Sequence, residues 1–455
     1  MNKKIFLVFL FAFTIRLIAL NQSLWLDEAV TANVVKNFDF FHIISKFSPT
    51  DFHPPLYYLI MKLWTNLFGF SEIALRMPSV LFSLMTGYVV LSIGGIWAAI
   101  FFLFNPLIVY YSQEARMYMM ATFLLTAAIY FFILNIKNKI SKIQIKNQIY
   151  FNLFIFLSLS TFYGSIFLVT AFLLYFLYKK QYKNLFISLF TLFIYFLIIS
   201  PLLYQQLINS KNALSIVANW SLVLGKVNIK NILLIPIKFS IGRISFYPKW
   251  LYWGVAGIWT GFIAYQIFQA KIKNQKLNFK IKILFYLLIS PLIFGLLASF
   301  FAPMLQYFRF IYLIPIVSIL LSFGLSGQAK FNPRGWILAG GFVIFSLVYL
   351  LLPKFHREDW KSLVKNLPKD KPVYIITTSS DPIKYYSNNL RIKELNILSQ
   401  SCGGQGVFEK EIVVIPYAAE IYGLDYKDLL SKNGYQLKKE VSFREVAYEE
   451  WFRSY

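Results

Sequence analysis

The sequence predicts a polytopic α-helical membrane protein with a small α/β unit at its C-terminus. The 455 residues are 58% hydrophobic and only 14% charged, a balance typical of integral membrane proteins. Long apolar runs recur along the first 352 residues, and a helix needs about 20 such residues to cross the hydrocarbon. From Ala115 to His356 the chain contains no Asp or Glu. Together these observations predict that most of the chain lies in a bilayer.

Eleven segments are predicted to be transmembrane helices. Only Gly94 and Gly95 separate the second from the third, a tight turn that the free backbone of glycine permits. The first segment resembles a secretory signal, but Arg16 interrupts it and no small-residue cleavage site follows, so we expect it to be retained. The segments span residues 4–20, 77–93, 95–111, 117–135, 150–164, 165–178, 184–203, 249–269, 281–301, 306–325 and 335–352.

The basic residues predict the orientation, because short cytoplasmic loops of membrane proteins are enriched in Lys and Arg. Lys3 and Lys4 place the N-terminus inside, and four later loops between spans are also basic. Residues 1–352 hold 29 Lys and Arg against 6 acids, whereas residues 353–455 hold 16 against 14. Most of the positive charge therefore reports topology and argues against a nucleic-acid partner. We expect a multi-pass protein of the plasma membrane with its C-terminal region extracytoplasmic.

Two domains are predicted. Residues 1–352 form the membrane domain, in which the outer loop 21–75 contains two amphipathic helices at the interface. Residues 353–455 form the small extracytoplasmic α/β domain. Its predicted strands lie at 371–378, 411–415 and 435–448, and its predicted helices at 381–389 and 426–433.

The six carboxylates of the first 352 residues all fall on the early outer loops. Ionised groups in a membrane protein are usually found in water, in a cavity or at a working site. Asp27 and Glu28 follow the first span directly. Asp27 could simply cap the helix that it begins. Alternatively, it is a general base paired with a second carboxylate that binds a cation or substrate hydroxyls.

Other polar residues at the same depth have two interpretations each. Glu114 and Arg116 either form a local ion pair or hold a metal or acceptor and a phosphate. Arg76 and Arg309 lie at outer span ends and either anchor the interface or direct a guanidinium at a lipid phosphate. His53 is either a surface loop residue or a metal or phosphate ligand.

Acids and arginines at the outer membrane surface suit a reaction on a lipid-linked phosphate. The leaving phosphate needs positive charge, and the attacking hydroxyl needs a base. Transfer of a sugar from a polyprenyl phosphate meets both requirements.

The sequence resembles the membrane glycosyltransferases of family 39 type, related to dolichyl-phosphate-mannose protein mannosyltransferases and lipid A aminoarabinose transferases. These enzymes share the C-type glycosyltransferase architecture, with many spans and acids on the first outer loop. Five motifs match in order along the chain. They are Leu24-Trp25-Leu26-Asp27-Glu28-Ala29, Phe52-His53-Pro54-Pro55-Leu56-Tyr57-Tyr58, Leu75-Arg76-Met77-Pro78-Ser79, Asn105-Pro106 with Tyr111-Ser112-Gln113-Glu114-Ala115-Arg116-Met117-Tyr118, and Arg357-Glu358-Asp359-Trp360. Phe162 stands where many members carry His, so any ligand role of that residue is lost.

The resemblance implies inverting transfer of a hexosyl or pentosyl group from a polyprenyl-phosphate sugar to a lipid, glycan or protein acceptor. Asp27 would activate the acceptor hydroxyl. Glu28 and Glu114 would bind metal or sugar, and Arg76 and Arg116 would hold the donor phosphate. A divalent metal is compatible with this site but not demanded, because Arg and Lys can neutralise the phosphate.

Three other functions are alternatives to this one. The first is a related enzyme that uses an oligosaccharide-lipid donor, and the second is a non-enzymatic scaffold that carries the outer domain. The third is a transporter or flippase, which would be expected to place ionisable groups near the bilayer midplane, whereas these acids lie at the outer face.

Overall fold

The computed structural model describes residues 3–137, 141–273, 278–325, 332–387, 389–396 and 409–453. Helices dominate up to residue 351, and a sheet follows. The helices are α1 (Lys3–Leu17), α2 (Leu26–Asn37), α3 (Phe40–His42), α4 (Leu56–Phe68), α5 (Glu72–Leu103), α6 (Pro106–Ser112), α7 (Tyr118–Lys137), α8 (Ser141–Thr161), α9 (Ile166–Tyr178), α10 (Tyr182–Ile216), α11 (Trp220–Leu224), α12 (Ile229–Ile241), α13 (Lys249–Lys273), α14 (Asn278–Ala298), α15 (Ile314–Leu325), α16 (Pro333–Leu351), α17 (Trp360–Asn366), α18 (Asp381–Tyr386), α19 (Ala419–Tyr422) and α20 (Tyr426–Lys432).

Six helical segments of the described chain are long and apolar enough to cross a membrane. Helices such as α1 and α9 coincide with predicted spans but are shorter than that. The protein is thus a membrane protein, whereas the predicted count of eleven spans is not confirmed. The six segments are Glu72–Leu103, Tyr118–Ile136, Tyr182–Ile216, Phe279–Ala298, Tyr307–Leu325 and Pro333–Leu351.

Helix α5 contains the predicted tight turn. Gly95 has φ +78° and ψ −172°, a conformation that side chains rarely tolerate. The chain reverses there, so a Cβ on Gly87 would meet the side chain of Leu103. The buried Arg16 of α1 joins the two arms, because its Nε donates to Ser83 Oγ at 2.9 Å and its Nη2 to the carbonyl of Leu103 at 2.7 Å.

Helix α10 continues well beyond its predicted end at residue 203. Two carboxamide side chains on this extension donate hydrogen bonds to the outer loop. Gln206 Nε2 donates to the carbonyls of Ser48 and His53 at 2.8 and 3.0 Å, and Asn209 Nδ2 donates to the carbonyl of Pro49 at 2.7 Å. The length of this helix therefore fixes the backbone that presents His53.

The C-terminal region contains the strands β1 (Val373–Ile375), β2 (Ile392–Glu394), β3 (Glu411–Val414), β4 (Tyr435–Phe443) and β5 (Val446–Arg453). They form a mixed five-stranded sheet of order β2-β1-β3-β5-β4. Strand β1 pairs in parallel with β2 and β3, β3 pairs antiparallel with β5, and β4 and β5 form an antiparallel hairpin. The predicted strands 371–378 and 411–415 and both predicted helices are present, whereas the predicted strand region 435–448 is the hairpin of β4 and β5. Strand β2 was missed, because three residues are too few to show an alternating pattern.

The sheet region docks onto the loop that begins α2. The Tyr386 hydroxyl of α18 accepts a hydrogen bond from the backbone N–H of Leu24 at 2.9 Å. Asn33 Nδ2 donates to the carboxylate of Asp381 at 2.8 Å. These contacts connect α2 and the residue just before it to the C-terminal region.

The predicted topology can be tested by labelling single cysteines in sealed cells, in a Cys402→Ser background. A cysteine at the exposed Ser431 is expected to react with a membrane-impermeant maleimide, and one at Asn138 only after the cells are permeabilised. The reverse labelling pattern would invert the proposed orientation.

Candidate active site

Six separate parts of the chain meet near the start of α2. They are the first turn of α2, the loop before α4, the first turns of α5, the turn at residues 113–117, the turn after α12 and the segment that follows α16. Each brings one or more charged side chains, so residues far apart in sequence share one site.

The Glu28–Arg76 pair lies at the base of this site. Both side chains are buried, and Arg76 Nε and Nη2 donate to the two carboxylate oxygens at 2.8 and 2.6 Å. The remaining Arg76 N–H groups donate to the carbonyls of Leu20, Gln22 and Ser23. All five donors of the guanidinium are thus used by the protein.

Glu28 is equally saturated. Its Oε1 also accepts from the Ala115 N–H at 2.7 Å, and its Oε2 from the Trp25 N–H at 3.4 Å. In this arrangement neither Glu28 nor Arg76 has a hydrogen-bonding group left for a substrate, although the sequence predicted substrate or phosphate contacts for both.

Asp27 lies in the same helical turn but faces a different direction. Its side chain is 36% exposed, and its Oδ2 lies 3.3 Å from Nη2 of Arg116. Arg116 is buried and also lies within electrostatic reach of Asp51, Tyr58 and Tyr118. The structure therefore brings together Asp27 and Arg116 and leaves the carboxylate accessible.

Glu114 is held by a residue from the C-terminal region. Its Oε1 accepts from Arg357 Nη2 at 3.0 Å and Nε at 3.2 Å. The Arg357 guanidinium also stacks 3.8 Å from the centroid of the Trp25 ring, a close cation–π contact. Burial opposes the charge of Arg357, but Tyr110 and Glu114 outweigh this effect and hold its pKa well above its usual value.

Arg243 is a site residue that the sequence reasoning missed. It follows α12 and donates to the Tyr110 hydroxyl. The guanidinium carbons of Arg243 and Arg357 lie 4.9 and 5.6 Å from the centroid of this one ring. Among the described residues no carboxylate lies within ion-pair distance of Arg243. The feature of the sequence that could have identified Arg243 is its position within a long stretch that contains no acidic residue.

The loop before α4 brings a further acid, Asp51. His53 Nδ1 lies 3.4 Å from Asp51 Oδ1. Burial works against ionisation of Asp51, but His53 and Arg116 outweigh it and lower the pKa of this carboxyl below its usual range. Arg309, in the helical segment that continues into α15, lies within electrostatic reach of Tyr118.

Several buried polar atoms of this cluster have no hydrogen-bond partner among the described residues. They are Trp25 Nε1, the Tyr57 hydroxyl, Glu114 Oε2 and Arg116 Nε. Buried polar groups in folded proteins are nearly always paired, so a concentration of unpaired ones needs an explanation. Their common location indicates a place where a polar ligand would complete the hydrogen bonding.

The predicted metal ligands do not assemble into a metal site. Glu114 is engaged by Arg357, and His53 lies beside Asp51. Within the described ranges no group of three His, Cys, Asp or Glu side chains is placed to hold a metal ion. The donor set therefore does not fit a resident metal, and we assign no step to one.

Comparison with known proteins identifies the fold. ArnT from Cupriavidus metallidurans in the apo state aligns with a TM-score of 0.61 at 13% identity, over 98% of this chain and 97% of that one. The same protein bound to undecaprenyl phosphate gives 0.59 at 13% identity, over 99% and 98%. The chain has the C-type glycosyltransferase fold.

An oligosaccharyltransferase from Archaeoglobus fulgidus, in complex with Zn and sulfate, aligns less closely. Its TM-score is 0.55 at 11% identity, over 94% of this chain and 71% of that one. No protein-family model and no curated protein sequence matches the chain. The resemblance of the sequence motifs is therefore confirmed at the level of fold.

We expect Glu28→Gln to destabilise the fold, because it leaves the Arg76 guanidinium buried without its counter-charge. Breaking a buried pair from one side typically costs about 3–5 kcal/mol. The thermal midpoint of the detergent-solubilised protein should fall, while Asp428→Asn, which removes an exposed ion pair, should leave it unchanged. The double variant Glu28→Gln/Arg76→Gln should lose less than the two single variants combined. Strictly additive losses would contradict a coupled pair.

Proposed function

We propose that this protein transfers a single sugar from a polyprenyl-phosphate donor to an acceptor hydroxyl at the outer face of the membrane. Glycosyl transfer in a membrane from a lipid-linked donor agrees with the fold. The environment of Arg243 is the observation that supports a phosphate-linked donor. This cation has no carboxylate partner among the described residues, and it lies against the same ring as Arg357.

A phosphate would supply the missing negative charge. Guanidinium groups match phosphate oxygens in geometry as well as in charge. In our proposal Arg116, Arg243 and Arg357 hold the donor phosphate, and Arg309 lies at its rim. The solved ArnT complex with undecaprenyl phosphate supports a lipid phosphate of this kind as the ligand.

Asp27 is proposed as the general base. It is the carboxylate of the cluster whose side chain is substantially exposed, whereas Glu28 is saturated and Glu114 is engaged by Arg357. The acceptor hydroxyl gives its proton to Asp27 as its oxygen forms a bond to the anomeric carbon. The bond from that carbon to the phosphate oxygen breaks, and its electron pair leaves with the polyprenyl phosphate. A single displacement of this kind inverts the anomeric configuration.

Glu28 and Arg76 are proposed to build the site rather than to bind substrate. Glu28 accepts from the Ala115 N–H, so the pair fixes the turn that carries both Glu114 and Arg116. Glu114 in turn orients Arg357. This replaces the substrate and metal roles that the sequence suggested for these residues.

The two-domain division at residue 352, the plasma-membrane location and the extracytoplasmic C-terminal region complete the proposal. They are supported by the basic loops and by the sheet, which begins after α16. The proposal covers both a hexose and a pentose, because the proposed contacts are to the phosphate and the reacting hydroxyl and not to the rest of the sugar.

The base assignment predicts that Asp27→Asn loses most turnover. Asn keeps the size of the side chain, and no helix cap is lost because the N-cap of α2 is Trp25 and not Asp27. Asn cannot accept the proton, however, and a general base typically contributes about 10²–10⁴-fold. The measurement is transfer from a radiolabelled undecaprenyl-phosphate sugar to a panel of lipid, glycan and peptide acceptors. The matched control is Asp39→Asn, an exposed helix cap on the same loop. Normal turnover in Asp27→Asn would reject the assignment.

The phosphate assignment predicts weaker donor binding in Arg243→Ala and Arg116→Ala. Losing a hydrogen bond to a charged group costs about 1.5–3 kcal/mol, which corresponds to roughly 10- to 150-fold in Kd. Binding of undecaprenyl phosphate to the purified variants measures this directly. Arg391→Ala, an exposed residue of the sheet region, should bind like wild type. If Arg243→Ala also does, the phosphate lies elsewhere.

A further inference from the structure

The segment after α16 brings a further carboxylate to the site, beside Arg357. Glu358 is 8% exposed, and its Oε1 accepts a hydrogen bond from the Tyr417 hydroxyl at 3.0 Å. Its Oε2 is buried and has no hydrogen-bond partner among the described residues. A buried carboxylate oxygen without a donor is costly to keep, so this atom points to a missing ligand.

Tyr417 connects Glu358 with the proposed base. Its phenol lies within electrostatic reach of Asp27 as well as of Glu358 and Arg357. Burial raises the pKa of Tyr417, so the hydroxyl stays protonated and its single hydrogen is committed to Glu358. Glu358 and the proposed base therefore share Tyr417 as a neighbour.

An aromatic side chain borders the same place. Trp360 packs edge to face on Tyr417 with ring centroids 4.9 Å apart, and its buried Nε1 also lacks a partner among the described residues. The place thus offers one unpaired acceptor on Glu358 and one unpaired donor on Trp360. A hydroxyl group can satisfy both kinds of atom, because it donates and accepts.

We propose that Glu358, Tyr417 and Trp360 form the subsite for the acceptor, and that this acceptor is a hydroxyl-rich glycan head group. The proposal rests on the proposed glycosyl transfer. A carboxylate only accepts hydrogen bonds and repels anions, so this edge would disfavour a phosphate. The two substrates thus bind at separate places: arginines surround the donor phosphate, and Glu358 lies beside the acceptor.

The test uses two competing acceptors and one donor. The full-length protein is incubated with a radiolabelled undecaprenyl-phosphate sugar and octyl β-glucopyranoside, and the products of transfer and of hydrolysis by water are both counted. Wild type should transfer to octyl glucoside in preference to octanol, which offers a single hydroxyl. Glu358→Gln should lower the ratio of transfer to hydrolysis by about tenfold, as expected for a lost hydrogen bond to a charged group.

Loss of the acceptor contact in Glu358→Gln should lower transfer while hydrolysis continues, whereas a general loss of structure would lower transfer and hydrolysis together. Tyr417→Phe should lower the ratio less, and the exposed control Glu440→Gln should not change it. An unchanged ratio in Glu358→Gln, or a wild type that prefers octanol or only hydrolyses the donor, would overturn the acceptor subsite. A wild type that consumes no donor at all would instead refute the proposed function.

Discussion

The buried ion pair between Glu28 and Arg76 is the contact on which the rest of the site depends. It joins α2 to α5, receives the amide of Ala115, and ties down three carbonyls of the chain that leads into α2. Burying two charges is expensive, and such pairs often contribute little net stability. Our interpretation is that this pair is kept because it specifies one arrangement of the outer loop. Successive helical residues point about 100° apart, so fixing Glu28 inward leaves Asp27 at the accessible edge.

The charges around Tyr110 are the reason that we propose a bound anion at this site. Glu114 compensates Arg357, and Asp27 and Asp51 lie near Arg116, but Arg243 has no carboxylate partner among the described residues. A lipid-linked phosphate would supply that charge from the membrane side. A chain with no Asp or Glu between Ala115 and His356 has few other ways to neutralise an arginine at this depth.

The C-terminal region contributes directly to this arrangement. Arg357 orients Glu114 and covers Trp25, while Tyr386 anchors the backbone just before α2. The membrane helices and the C-terminal region therefore both contribute residues to the candidate site.

Much of this could be predicted from local sequence patterns. Apolar runs, basic loops and the Gly94-Gly95 turn predicted the helices, and the outer acids indicated the place of the site. The pairing could not be predicted, because it depends on which way each side chain faces after folding. From the sequence, Arg76 is a cation at the end of a span. In the structure it donates hydrogen bonds to carbonyls that lie 54 and 56 residues away in sequence. In the sequence Arg243 is one of many basic residues, and only the fold shows that it lies against the same Tyr110 ring as Arg357. The extension of α10 was hidden because polar residues such as Gln206 resemble the end of a span.

A structure of the protein with bound undecaprenyl phosphate would test the central claim most directly. The account predicts that the phosphate contacts Arg116, Arg243 and Arg357 while the Glu28–Arg76 pair stays closed and Asp27 faces the open side of the phosphate. A phosphate bound to Arg76, with the Glu28 pair opened, would contradict it.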